Sequence, residues 1–235
     1  MAAKIRILLV DDHPLVREGL ANLILQQPDL EVCGEAASEP QALQLAAQLQ
    51  PDVAVVDISL ENGSGLDLIK SIKAIHPRVA MLALSMHDEA LYAERALRAG
   101  ARGYLMKREA AKKVIQGIRA VLAGQLFVSD KIAALMTERF VEGRTVAATP
   151  LEVLSDRELE VFQLLGSGHS TRQIAEHLHV GFKTVQAYSA RIKEKLQLAN
   201  VNELLRAAMR WNERQGAATS PSTPPNDGAQ REAEK

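Results

Sequence analysis

The chain has 235 residues, 28 Lys and Arg against 29 Asp and Glu, and a formal net charge of -1. Hydrophobic residues make up 47%, which excludes a wholly disordered chain, while aromatics are only 3%, so its cores must be aliphatic. The near-neutral balance excludes a wholesale polycation but leaves room for a local basic face. Cys33 is the sole cysteine, so no internal disulfide framework is possible and a reducing compartment fits. The N-terminal MAAKIRILLV is too short an apolar stretch for a signal peptide. No run approaches the ~18–20 apolar residues of a membrane span. A soluble, cytoplasmic protein with no membrane partner is expected.

Short apolar runs recur at Ile5–Val10, Val53–Val56 and Val79–Leu84, with weaker ones at Glu31–Cys33 and Gly103–Met106. They are nearly continuous rather than alternating, as strands of a parallel sheet buried on both faces should be. Between them lie helical patterns at Leu15–Leu25, Pro40–Leu49, Leu66–Ile75, Glu89–Leu97 and Ala111–Leu122. Gly100 and Gly124 read as helix stops. Strand and helix in strict alternation predict an α/β doubly wound, five-stranded parallel sheet over residues 1–125. Ser129–Glu142 reads as one more helix, and Gly143–Leu154 as a linker, so 126–151 forms a connecting region. Residues 152–213 show helical patterns and no strand, predicting an all-α domain. The segment 214–235 is rich in Ser, Thr, Pro, Gly and Ala and is expected to be a disordered tail.

The first strand ends in Asp11-Asp12 and the third in Asp57. Open doubly wound sheets bind ligands at the carboxyl ends of strands, where the strand order reverses. With the order 2-1-3-4-5, strands one and three are neighbours and three carboxylates converge. Their repulsion is relieved by a hard divalent cation, and Mg²⁺ suits carboxylates, waters and a phosphoryl oxygen. Ser85 ends the fourth strand with a hydroxyl donor. Lys107, near the end of the fifth, supplies a compact cation.

This set resembles the receiver domain of two-component response regulators (a flavodoxin-like fold) over about residues 4–125. The resemblance runs through LLVDDHPLVREGL, VAVVDISL, Gly65-Leu66, ALS ending in Ser85, and GARGYLMK ending in Lys107. It implies Asp57 as phosphoacceptor and Asp11, Asp12 and the Ser59 backbone carbonyl as further Mg²⁺ ligands. It also implies that Ser85 and Lys107 contact the phosphoryl group and that Tyr104 is the aromatic that rotates inward with Ser85. Glu61, Met86 and Arg108 depart from common family residues without removing a reacting group. Ser59 and His87 occupy positions that influence dephosphorylation in receivers.

In the C-terminal region, Ser155 with Glu158 three residues on reads as a capping box. Gly166-Ser167-Gly168 breaks that helix, Ser170 or Thr171 caps a second, and His179-Val180-Gly181 turns into a third from Phe182. Two short helices joined by a Gly-containing turn form a helix-turn-helix pattern. On the third helix Val185, Ser189, Ile192 and Leu196 share one side. Lys183, Ala187, Ala190, Arg191 and Glu194 lie opposite, with Gln186 at the flank. Small, amide and cationic side chains on one face suit a major groove. His169, His177 and His179 lack metal-ligand spacing, and Trp211 reads as a packing residue.

The segment LSDRELEVFQLLGSGHSTRQIAEHLHVGFKTVQAYSARIKEKLQLANVNELLRAA closely resembles the LuxR-type helix-turn-helix, and its pairing with a receiver resembles the NarL/FixJ family. The resemblance implies a DNA interface of Lys183, Thr184, Gln186, Ala187, Ala190, Arg191 and Lys195, and a dimer contact near 201–209. It implies a transcriptional regulator, not an enzyme, phosphorylated by a sensor histidine kinase. Phosphorylation then favours a homodimer on double-stranded promoter half-sites. Two other readings are an Mg²⁺-dependent phosphohydrolase with an aspartyl nucleophile and a regulator that works without phosphorylation. Ser59, two positions after Asp57, is not the acid that fast hydrolysis needs.

Overall fold

The computed structural model describes residues 3–60, 64–86, 89–142 and 150–218. Glu61, His87, linker residues 143–149 and tail residues 219–235 lie outside the described residues. Strands β1 (Ile5–Val10), β2 (Leu30–Ala36), β3 (Val53–Asp57), β4 (Ala80–Ser85) and β5 (Gly103–Met106) form one sheet in the order β2-β1-β3-β4-β5. Every strand pair is parallel. The connecting helices are α1 (Pro14–Leu25), α2 (Glu39–Leu49), α3 (Gly65–Ile75), α4 (Glu89–Ala99) and α5 (Lys107–Leu122).

Strand alternation divides the core into two layers. Ile7, Leu9, Val53 and Val55 pack with Leu20 and Ile24 of α1 and Val114, Ile118 and Val121 of α5. Leu8, Val10, Ala54 and Val56 face the other way, toward Ala42 and Ala46 of α2, Leu66, Ile69 and Ile72 of α3, and Ala93 and Ala96 of α4. Each fully buried Val, Leu or Ile contributes ~1.5–3 kcal/mol, so register is held firmly.

Helix ends follow local chemistry. Pro14 opens α1 in its first turn, where the missing N–H costs no helical bond. Gly100 (φ 120°) and Gly124 (φ 73°) adopt the positive φ expected of the predicted helix stops. Most boundaries shift by one to three residues, and the start of α5 moves by four. Helix α5 starts at Lys107 rather than Ala111, because extended Met106 serves as its N-cap and Glu109 complements the first turn. Lys107 is therefore a helix residue whose side chain reaches back over the sheet.

Helix α6 (Asp130–Glu142) follows, and within the expected linker Pro150–Val153 forms a 3-10 turn. Helices α7 (Asp156–Gly166), α8 (Thr171–His177), α9 (Phe182–Lys195) and α10 (Val201–Ala218) complete the chain. The last helix runs five residues into the expected tail, since 214–218 is helical. Capping boxes at Ser155/Glu158 and Ser170/Gln173 start α7 and α8. Leu159, Phe162, Ile174, Val185, Ile192, Leu204 and Ala208 form the helical core. Trp211 packs edge-on against Phe162 with ring centroids 6.3 Å apart, as a packing residue should.

The two domains touch. Helix α7 lies against α3 and α4, and one apolar cluster continues from the α2–α4 face of the sheet into the helical core. Asp156 pairs with Lys70 at 2.7 Å and with Arg95 at 2.9 Å. Arg95 also donates to the carbonyls of Leu151 at 3.2 Å and Leu154 at 2.8 Å. The Tyr92 hydroxyl donates to Gln163 Oε1 at 2.7 Å, and Arg157 lies 3.4 Å from Asp67.

Candidate functional site

Register builds the acidic rim. Val10 is level with Val56, so the following residues Asp11 and Asp57 emerge side by side. Asp57 is level with Leu84, and Ser85 with Met106, which brings Ser85 and Lys107 to the same end of the sheet. Lys107 Nζ lies 2.7 Å from Asp57 Oδ2 and 2.7 Å from Asp11 Oδ2. The Ser59 amide donates to Asp57 Oδ1 at 3.1 Å, placing the Ser59 backbone at the rim. Ser85 and Tyr104 are both buried. The Arg17 guanidinium donates to the Asp11 carbonyl at 2.5 Å and steadies the turn after β1.

Gly65 has a steric reason. A Cβ there would lie 2.0 Å from the Asp57 carbonyl oxygen and 2.6 Å from Ile58 Cα. Only glycine lets the start of α3 press against the loop that carries Asp57.

The pocket is electrostatically uneasy. Burial pushes the Asp57 carboxyl up to about 7; Lys107 pulls the other way, and Asp11 adds to the rise. Burial works to lower the Lys107 ammonium, but Asp57 and the bonds to both carboxylates outweigh it and hold it above its usual value. One cation thus answers two buried carboxylates, with Asp12 beside them.

Ligand atoms of Asp11, Asp12, His13 and Asp57 all lie within 4.8 Å of one another. Among the described residues this is the one such group of three or more, and the C-terminal histidines are not in it. Carboxylates dominate the set, and a hard divalent cation relieves both the burial of the Asp57 charge and its repulsion from Asp11, so the residues fit Mg²⁺. His13 is an addition to the expected set. Its Nδ1 is 2.7 Å from Asp12 Oδ1 and 3.2 Å from Asp11 Oδ1. The sequence signal was its place directly after the two aspartates.

On α9 the structure exposes Lys183, Thr184, Gln186, Ala187, Ala190 and Arg191, while Val185 and Ile192 are buried beneath them. The Arg191 guanidinium sits 5.9 Å from the centroid of the Tyr188 ring, a contact the sequence did not suggest. Lys195 is exposed as well and carries an ion pair that the sequence did not suggest. Its Nζ is bonded to Glu158 at 2.7 Å, because that nearly buried carboxylate needs a counter-charge. Lys195 thus ties α9 to the foot of α7.

Two family models match the chain. The response regulator receiver domain matches residues 7–119, and the luxR family of bacterial regulatory proteins matches residues 152–208. The oxygen regulatory protein NreC of Staphylococcus carnosus is 35% identical over 210 residues, covering 87% of this chain and 97% of NreC. The response regulator GacA of Pseudomonas viridiflava is 33% identical over 206 residues, covering 88% and 96%. Among solved structures, a LuxR-family two-component response regulator from Aurantimonas sp. SI85-9A1 is 36% identical at a TM-score of 0.55, covering 59% of this chain and 99% of its own. RcsB of Salmonella enterica serovar Typhimurium, solved on a promoter with a BeF3- phosphomimetic, is similar in fold at a TM-score of 0.63 and 24% identity, covering 88% and 99%.

Proposed function

Because the chain belongs to the two-component response regulators of the NarL/FixJ family, a receiver followed by a LuxR-type helix-turn-helix, we propose that phosphoryl transfer onto Asp57 controls its binding to promoter DNA. The carrying observation is the convergence of Asp11, Asp12, Asp57 and Lys107 at the carboxyl end of one sheet.

An Asp57 carboxylate oxygen forms the new bond to phosphorus as the bond from phosphorus to the donor breaks; for a histidine kinase that donor atom is an imidazole nitrogen, which keeps the electron pair. Lys107 already stands 2.7 Å from Asp57 and faces the new phosphoryl oxygens. The Ser85 hydroxyl, buried at the end of β4, is the second group for them. Asp11, Asp12, Asp57 and the Ser59 carbonyl would hold Mg²⁺, which supplies neutralising charge to those oxygens when bound. Ser59 brings no second carboxyl to activate water, which favours a phosphoryl group that persists as a signal over turnover.

Downstream, Lys183 and Thr184 would meet phosphates, and Gln186, Ala187, Ala190 and Arg191 would face bases or flanking phosphates. Val201 and Met209, exposed on α10, supply apolar area for a homodimer. Such a dimer sets two reading helices on half-sites ~34 Å apart. Absence of a membrane partner remains part of this reading; no helix among the described residues is long and apolar enough to cross one.

The test is incubation with acetyl phosphate and Mg²⁺ followed by intact mass. Wild type should gain one phosphoryl group and Asp57→Asn none; equal labelling of the two would sink the assignment.

A further inference from the structure

The exposed face of α9 has two unlike halves. Lys183 and Arg191 bring charge to one side, and Phe182 and Gln186 bring a ring and an amide to the other. At ~100° per residue Gln186 lies one turn on from Phe182 and about 40° round the helix, with Cβ atoms ~5–6 Å apart. Phe182 is 49% exposed, the one aromatic among the exposed large apolar side chains of the described residues. Aromatics are only 3% of the chain, and a ring left half in water forgoes the burial that the helical core gives Phe162. Gly181 precedes it as N-cap and brings no side chain. Beyond the chain neighbours, the space where a Gly181 Cβ would stand meets only Thr184 Oγ1, at 3.6 Å. On the same flank the Ser189 hydroxyl is turned back onto the Val185 carbonyl at 3.0 Å. The ring therefore stands clear at the start of the helix.

We propose that Phe182 is a specificity residue that reads thymine: its ring packs on the 5-methyl group of that base in the major groove, beside an adenine bonded by Gln186. This rests on α9 as the DNA-reading helix. The N-terminal residues of a reading helix are the ones that reach base edges. In the major groove only thymine shows a methyl group, and adenine shows the acceptor and donor that a glutamine amide matches. A ring and an amide one turn apart therefore suit neighbouring A·T pairs. A cytosine in the place of that thymine would set its amino group against the ring and leave a donor unpaired. Lys183, on phosphate, adds affinity without this selection.

The full chain, treated with acetyl phosphate and Mg²⁺, first enriches its own site from a pool of random-sequence duplexes. Each thymine of that site is then replaced in turn by deoxyuridine, which removes the 5-methyl group and keeps the base pairing. One thymine per half-site, next to an adenine, should prove sensitive. A buried methyl is worth about fourfold, so its removal from both half-sites should weaken wild type about fifteenfold. Phe182→Ala should bind the thymine duplex at least as weakly as wild type binds the uracil duplex. Its own difference between the two duplexes should shrink to within about twofold. Phe182→Leu, which keeps an apolar side chain, should retain part of that difference. The slope of log affinity against log salt should not change in either variant, since no charge is lost. Indifference of wild type to every thymine methyl would overturn the proposal. So would a Phe182→Ala protein that keeps the full methyl dependence, whatever its overall affinity: the methyl would then belong to Ala187 or Ala190. Failure to enrich any sequence would instead refute the DNA-binding reading, and this inference with it.

Discussion

The receiver pocket and the foot of the helical domain each hold a carboxylate almost out of water, Asp57 at 1% exposure and Glu158 at 3%. Their surroundings drive them in opposite directions. Burial works to raise Glu158, but Lys195 at 2.7 Å and the Ser155 amide at 2.8 Å outweigh it and hold the carboxyl below its ordinary value. For Asp57 burial wins, since Lys107 is shared with Asp11 and a second aspartate stands close. A buried charge with full compensation holds a structure together. One left under-compensated is ready for a cation or a phosphoryl group.

Charge deletion that keeps side-chain shape puts this contrast to its hardest test. The folded Asp57 carboxyl titrates near 7, above its unfolded value, so its stabilising contribution is complete below about pH 4 and disappears as pH rises through 7. Asp57→Asn removes that loss. Without divalent cations at pH 8, the variant should be more stable than wild type by ~2–4 kcal/mol in denaturant unfolding, with the gap closing toward pH 4. A variant no more stable than wild type at pH 8 would mean that Lys107 compensates the pocket fully.

Mg²⁺ should act on the same pocket. At about 100 times its dissociation constant a specific ligand adds ~2.7 kcal/mol. Wild type should show a rise in melting temperature, and Asp57→Asn and Asp12→Asn little or none. Equal shifts in all three would place the cation elsewhere.

Glu158→Gln should move the other way, costing ~1–2 kcal/mol by removing the charge that Lys195 answers. Trp211, the sole tryptophan, packs on Phe162 in the same domain and reports the loss by fluorescence. The sign with pH is also reversed. The folded Glu158 carboxyl lies below its unfolded value, so its contribution is present above the ordinary carboxylate range and is lost as pH falls through the folded value. A Trp211 transition that Glu158→Gln leaves unchanged at pH 7 would show the pair to be energetically idle.

The two regions also differed in how far the sequence revealed them. The strand order and the rim of Asp11, Asp57, Ser85 and Lys107 were legible because a parallel sheet fixes register through continuous apolar runs. The helix-turn-helix was legible through its caps and through the 3.6-residue stripe of Val185 and Ile192. The bonds of Asp156 to Lys70 and Arg95, and of Tyr92 to Gln163, were not. They join surfaces 61 to 86 residues apart in the chain, and no periodicity within either element announces its partner. Nothing in the local pattern sets Asp156 or Gln163 apart from other polar helix residues. The pair of Lys195 with Glu158 was hidden for a related reason. A cation on a reading helix looks the same in sequence whether it faces DNA or a buried glutamate.

That last ambiguity defines the smallest effect. Lys195 is answered by Glu158, whereas Lys183 and Arg191 stand exposed on α9 with no carboxylate partner among the described residues. If under-compensation marks function here, as proposed for Asp57, Arg191 is held ready for DNA by the Tyr188 ring face, which orients the guanidinium without neutralising it. Arg191→Ala should then weaken promoter binding and reduce the slope of log affinity against log salt by about one unit. Glu194→Gln, on the same exposed face, should strengthen binding slightly, since it removes an anion that a phosphate backbone repels. A salt slope and affinity that survive Arg191→Ala unchanged would take it out of the interface. Uncompensated charge would then be a mark of function in the receiver alone, and the reading helix would depend on Lys183, Thr184 and Gln186.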